Sequence, residues 1–255
     1  MKYFYITCLI FLLFSCEKSS EIINNNNAPY YSEIPTLLLE NYVNRVYIDL
    51  IGREPLDQEM MNDVQFLRDS DVSLESRDSL LIKLQYDTNY VEGDSSYKFA
   101  YFHRIYEMMK VRLIEGASNS YIGSELNTFY NNYIQDSING NMLDAYKRLL
   151  KYNQLNNVLE SELQYYHGEI EINEMCRRMI NNPVYDNINM NTFNFVNAAF
   201  DNLLFRYPTE YEFDQVYKMI DDNTAQIVLG SSGNNKEDFT YIICDSREFY
   251  QGMII

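Results

Sequence analysis

The side chains able to do chemistry are few, and their spacing assembles no familiar centre. There are two histidines, His103 and His167. His103 falls inside a helical pattern, one residue from its apolar stripe, and His167 precedes Gly168 near a helix end. Neither has a partner at metal-ligand spacing, and no His-x-x-Glu-His or paired-cysteine motif accompanies them. A Ser-His-Asp arrangement forms in space and needs no fixed order, but the Gly-x-Ser-x-Gly elbow is missing. The segment 136–141 (DSINGN) has the composition of a calcium loop without its spacing or its closing glutamate. Gly230 to Gly233 lacks the Lys-Ser/Thr that completes a phosphate cradle, and its glycines read as a flexible loop. These residues predict a non-enzymatic protein with no cofactor and no metal. A hydrolase would need His103 or His167 in a pocket beside a carboxylate and a hydroxyl or thiol.

Two arginines recur in matched surroundings. Tyr42 to Leu67 aligns without a gap to Phe195 to Ile220. Val43, Asn44, Arg53, Pro55 and Glu59 match Val196, Asn197, Arg206, Pro208 and Glu212, and Tyr47 falls opposite Phe200. Arg53 and Arg206 could capture an anion. The spacing favours a structural role, with each guanidinium capping helix carbonyls and pairing with the glutamate one turn on. In the second copy Thr209 and Glu212 form a capping box; in the first, Leu56 has no hydroxyl to offer. A third element follows each copy, Ser76 to Val91 and Asn235 to Tyr250. Each repeat thus reads helix, Arg-x-Pro turn, helix, loop, helix.

The remaining pattern is helical. Phe102, Ile105, Tyr106 and Met109 form one stripe; Leu126, Phe129, Tyr130 and Tyr133 a second. Leu143, Tyr146 and Leu150 form a third; Leu155, Leu159 and Leu163 a fourth. Most of the 24 tyrosines lie on such stripes, so core packing accounts for them first. No sustained two-residue alternation occurs, so the expected fold is all-α, with two related three-helix repeats flanking a helical middle.

The N-terminus carries the firmest functional signal. Lys2 begins a short positive region, Tyr3 to Phe14 is apolar and too short to span a bilayer, and Leu13-Phe14-Ser15 precedes Cys16. This resembles the lipobox of bacterial lipoproteins, with Phe14 bulkier than usual. The resemblance implies cleavage before Cys16 and acylation of its thiol and new amino group, which would hold the protein firmly at a membrane. The expected organisation is a signal peptide at 1–15 and a lipidated cysteine with a polar tether at 16–35. The first repeat with its following helix then occupies 36–115, a helical middle 116–182 and the second repeat 183–255. Of the remaining cysteines, Cys176 and Cys244 could form one disulfide in an oxidising compartment, but each sits on an apolar helical face and they read first as two buried thiols.

The Arg-x-Pro-x-x-x-Glu turn, followed by a helix ending in Asp87-Thr88-Asn89-Tyr90, resembles a helical domain of unknown function found beside cytochrome domains in planctomycetes. The second copy resembles uncharacterised Bacteroidota lipoproteins. No activity comes with either resemblance, and no Cys-x-x-Cys-His haem site is present. With a net charge of −17 the chain repels phosphate backbones, so nucleic acid is excluded as an expected partner. The combined expectation is an outer-membrane lipoprotein, facing the periplasm or the cell surface. It would serve as a non-enzymatic accessory subunit of an envelope assembly such as a secretion, gliding or nutrient-uptake machine. A glycan- or peptide-binding lipoprotein is the alternative. A flat apolar patch would favour the first, and a cleft lined by tyrosine and unpaired carboxylates the second.

Overall fold

The computed structural model describes residues 34–253. Cys16, the expected signal peptide at 1–15 and most of the expected tether at 16–35 lie outside them. The described residues form an all-α fold of twelve helices with one small two-stranded sheet.

The first repeat is α1 (Thr36–Ile51), α2 (Asp57–Asp69) and α3 (Leu74–Tyr86). Gly52 ends α1 at φ 79°, a left-handed conformation natural to glycine, and its amide donates to the carbonyls of Tyr47 and Ile48. Leu39, Val43, Tyr47 and Ile51, spaced on one face, turn inward against Val64, Leu67, Leu80 and Leu84. Although Leu56 supplies no side-chain cap, Glu59 still reaches back to the Leu56 amide at 2.7 Å, so half of the capping box survives.

The second repeat is α9 (Thr192–Leu204), α10 (Glu210–Asp221) and α11 (Lys236–Cys244), followed by a short α12 (Arg247–Met253). The third element of this copy is therefore broken at Asp245–Ser246, where Ser246 accepts from the Phe249 amide. The supposed flexible loop at Gly230 to Gly233 is instead half of a hairpin. Strand β1 (Gln226–Val228) pairs antiparallel with β2 (Ser231–Gly233), turning through Leu229 and Gly230 at positive φ.

Helix α4 (Tyr97–Ile114) ties the copies together. Its first half gives Tyr97 and Ala100 to the first repeat's core; its second half gives Tyr106, Leu113 and Ile114 to the core around Phe200, Phe239 and Phe249. That larger core also takes in α7 (Ile172–Ile180) and α8 (Pro183–Asn189). Asn182 caps α8, accepting from the amides of Val184 and Tyr185, and Pro183 occupies the first helical position, where no N–H is needed.

The middle is an antiparallel hairpin of α5 (Asn119–Ile138) and α6 (Met142–His167). Ile122 is the one fully buried residue of α5, and it meets the core beside Leu155 and Val158 of α6. From Ile122 to Ile138 the helix runs on for about 24 Å at 1.5 Å per residue. The outer part of the hairpin packs chiefly on itself, for example Tyr130 against Tyr152 with ring centroids 5.5 Å apart. The stripe Leu143, Tyr146, Leu150 is helical but turned outward, 69%, 59% and 44% exposed. Helical spacing defines a face; it does not say whether another element covers it.

Candidate functional site

The recurring arginines sit in matched clamps. Arg53 donates from Nη1 and Nη2 to the Glu59 carboxylate at 2.7 and 2.9 Å, and from Nη1 to the Glu54 carbonyl. Arg206 does the same with Glu212 at 2.9 and 2.8 Å and with the Tyr207 carbonyl. Each guanidinium is completed by a second carboxylate from further along the chain, Asp94 for Arg53 and Glu248 for Arg206. Pro55 and Pro208 lie inside these turns, and Thr209 accepts from the Glu212 amide while Glu212 accepts from the Thr209 amide. The Arg206 hydrogen bonds, reinforced by Thr209, hold the Glu212 carboxyl down at about 2. Burial pushes the Glu59 carboxyl up, but hydrogen bonds from Arg53, Tyr97 and the Leu56 amide outweigh it and leave it below the usual range. With both carboxylates engaged, neither guanidinium is free to take a ligand anion.

The two repeats differ where their cores should match. In the first, Tyr47 Oη donates to Asp63 Oδ2 at 2.7 Å, and Lys83 Nζ donates to both Asp63 oxygens at 2.7 and 2.9 Å. Tyr97 Oη donates to Glu59 at 2.6 Å and lies 3.4 Å from the Tyr47 hydroxyl. A continuous polar chain therefore runs from Lys83 through Asp63, Tyr47, Tyr97 and Glu59 to Arg53. The positions that align with Tyr47, Asp63 and Lys83 are Phe200, Val216 and Ile242, all buried and apolar. Burial raises the Tyr47 hydroxyl far above its ordinary value, and the adjoining Tyr97 and Asp63 add to this, so Tyr47 stays a neutral donor to Asp63. Asp63, Lys83, Tyr97 and Asp94 gave no signal as single residues. For Asp63 and Lys83 the polar-for-apolar exchange with Val216 and Ile242 is where a signal lay; Tyr97 and Asp94 fall outside the aligned segments and had none.

This run of polar contacts reaches the surface at Glu59 and Tyr97, which line an open hollow of about 720 Å³. Glu54, Asp57 and Glu92 stand around it and pair with no cation among the described residues. Across the loop at Asp94, a second hollow is lined by Tyr90, Ser95, Phe99 and His103.

His103 donates from Nδ1 to Glu162 Oε1 at 2.6 Å, joining α4 to α6, and its ring stacks on Phe99 at 6.0 Å. His167 meets Tyr166, whose ring also packs on Phe99 and Phe102, so both histidines border one aromatic patch. Among the described residues no hydroxyl or thiol is hydrogen-bonded to either imidazole, and no cluster of three His, Cys, Asp or Glu could hold a metal. Asp136 closes α5 and lies 3.7 Å from Arg148, and the turn that follows it is a helix terminus with Gly140 left-handed. Cys176 and Cys244 are both free and buried. Among the described residues no helix is long and apolar enough to cross a membrane. No protein-family model matches the chain, and neither a curated protein nor a solved structure matches it.

Proposed function

We propose that this chain is a lipid-anchored, non-enzymatic interaction subunit of a Gram-negative envelope assembly, held at the outer membrane through Cys16 and meeting a protein partner through the α5–α6 hairpin. The supporting observation is the outward stripe of that hairpin. Ile138, Met142, Leu143 and Tyr146 are 73%, 65%, 69% and 59% exposed and lie together about its tip. Large apolar side chains grouped on a projecting element are disfavoured in water unless something covers them. The residues before and at Cys16 support the anchor.

A photocrosslinker placed at Tyr146 in native outer membranes tests the proposal. One envelope protein should be captured in stoichiometric yield, and Leu143→Asp should abolish the capture. Recovery of the uncrosslinked chain alone would overturn the proposal. Cys16→Ala should release the protein from membranes; retention would count against the anchor.

The alternative, a glycan- or peptide-binding lipoprotein, draws support from the hollow above Tyr97, with its unpaired Glu54, Asp57 and Glu92. Tyr97→Ala should weaken binding on a glycan array if that reading holds, and leave the Tyr146 crosslink unchanged.

A further inference from the structure

In a chain of net charge −17, cations gather around one hollow. It measures about 400 Å³ and lies between α6, α8 and the start of α11. Lys147, Arg148, Lys151 and Lys236 line it, against two acids, Asp144 and Asp186. The cations are only loosely neutralised. Lys147 lies 3.6 Å from Asp144 and Arg148 3.7 Å from Asp136, both beyond hydrogen-bond reach. Lys151 has no carboxylate partner among the described residues and lies over the Phe129 ring at 5.5 Å. Lys236 alone is closely paired, with Asp186, and this pair forms the far wall.

We infer that this hollow binds a small hydroxylated oxyanion, a sugar carrying a carboxylate or phosphate group. The arrangement divides the work by charge. Arg148, held only loosely at 3.7 Å from Asp136 of α5, carries a planar fork of donors suited to a carboxylate or phosphate, and Lys147 and Lys151 add point charges one turn apart on the same helix. Asp144 and Asp186 can only accept, so they suit the hydroxyls of such a ligand and disfavour a bare, densely charged polyanion. The volume falls within the range of small-molecule pockets. Four cations against two acids in a chain of net charge −17 give this lining a local charge balance that favours an anion. This inference is independent of the docking role of the hairpin tip, because binding is read without any partner.

Isothermal titration of the lipid-free chain with glucuronate, glucose 6-phosphate and glucose, at low salt, tests it. The two anions should saturate at or below roughly millimolar concentration and glucose should not. Saturation by glucuronate alone identifies the carboxylate as the recognised group, and by glucose 6-phosphate alone the phosphate. Lys147→Gln with Lys151→Gln, both on the surface, should weaken binding at least about tenfold while the circular dichroism spectrum is unchanged. Arg148→Gln should do the same. Failure of both anions to saturate, equal binding of glucose, or undiminished binding in both variants would overturn the inference.

Discussion

Lys83 Nζ sits 2.7 Å from Asp63 Oδ1 at a place where the second repeat has Ile242 and Val216. One backbone plan thus carries an ion pair in one copy and hydrocarbon in the other. An ion pair withdrawn from water recovers its desolvation cost only with good geometry, whereas a half-removed pair leaves a charge uncompensated. The second repeat shows that the fold itself does not require the pair.

The two copies therefore supply a direct experiment. Lys83→Ile alone strands the Asp63 carboxylate, which is 5% exposed, and should destabilise the protein by about 3 kcal/mol. Tyr47→Phe, Asp63→Val and Lys83→Ile together copy the second repeat. The triple variant should lie within about 1 kcal/mol of the parent, or above it. Urea unfolding of both variants measures the difference. A triple variant less stable than the single one would mean that the polar chain is needed for folding.

The Arg206 clamp predicts behaviour in acid. The Glu212 carboxyl is lowered in the folded state, from 4.5 to about 2. A depressed carboxylate stabilises the fold above its unfolded value and loses that contribution as pH falls through the folded one. Stability should therefore drop between about pH 4.5 and about 2, and Glu212→Gln should flatten that limb while lowering stability at neutral pH. Thermal melts across this range read both effects. An unchanged acid limb in the variant would show that other carboxylates govern it.

Burial pushes the Cys176 thiol up to about 12, and it pushes Cys244 well above its ordinary value, with the neighbouring Cys176 adding to the rise. At pH 8 only about one Cys176 in ten thousand is thiolate, and the group is shielded besides. Native protein should resist iodoacetamide for hours, and both thiols should react within minutes in denaturant. Fast labelling of the native chain would show that the larger core opens readily.

Removing apolar bulk should have opposite consequences on the two faces of α6. Leu155→Ala empties a fully buried site and should cost about 2–5 kcal/mol. Leu143→Asp on the outward stripe should change stability by no more than about 0.5 kcal/mol while improving solubility. A large loss of stability from Leu143→Asp would mean that the hairpin tip folds back onto the body in solution.

Much of this architecture was legible along the chain. Apolar residues at helical spacing marked the helices. Gly52, Pro55, Asn182-Pro183 and Thr209 to Glu212 marked where they turn, because left-handed backbone, a missing amide and a capping hydroxyl are local requirements. The Arg53–Glu59 and Arg206–Glu212 pairings were legible too, each spanning six residues across one turn. Comparison of the copies limited what could be essential to the fold.

Other features depended on distance in space. Asp94 and Glu248 complete the two clamps from positions that do not correspond in the repeats, so no alignment indicates them. Glu162 reaches His103 from another helix, and the cations of the basic hollow come from α6 and α11, far apart in sequence. The stripe Leu143, Tyr146, Leu150 has the same spacing as a buried one and is exposed because α5 covers a different face of α6. Local sequence determined which residues turn, cap and share a helical face. Tertiary structure decided which faces are covered and which charges meet, since burial and ion pairing depend on where other elements come to rest.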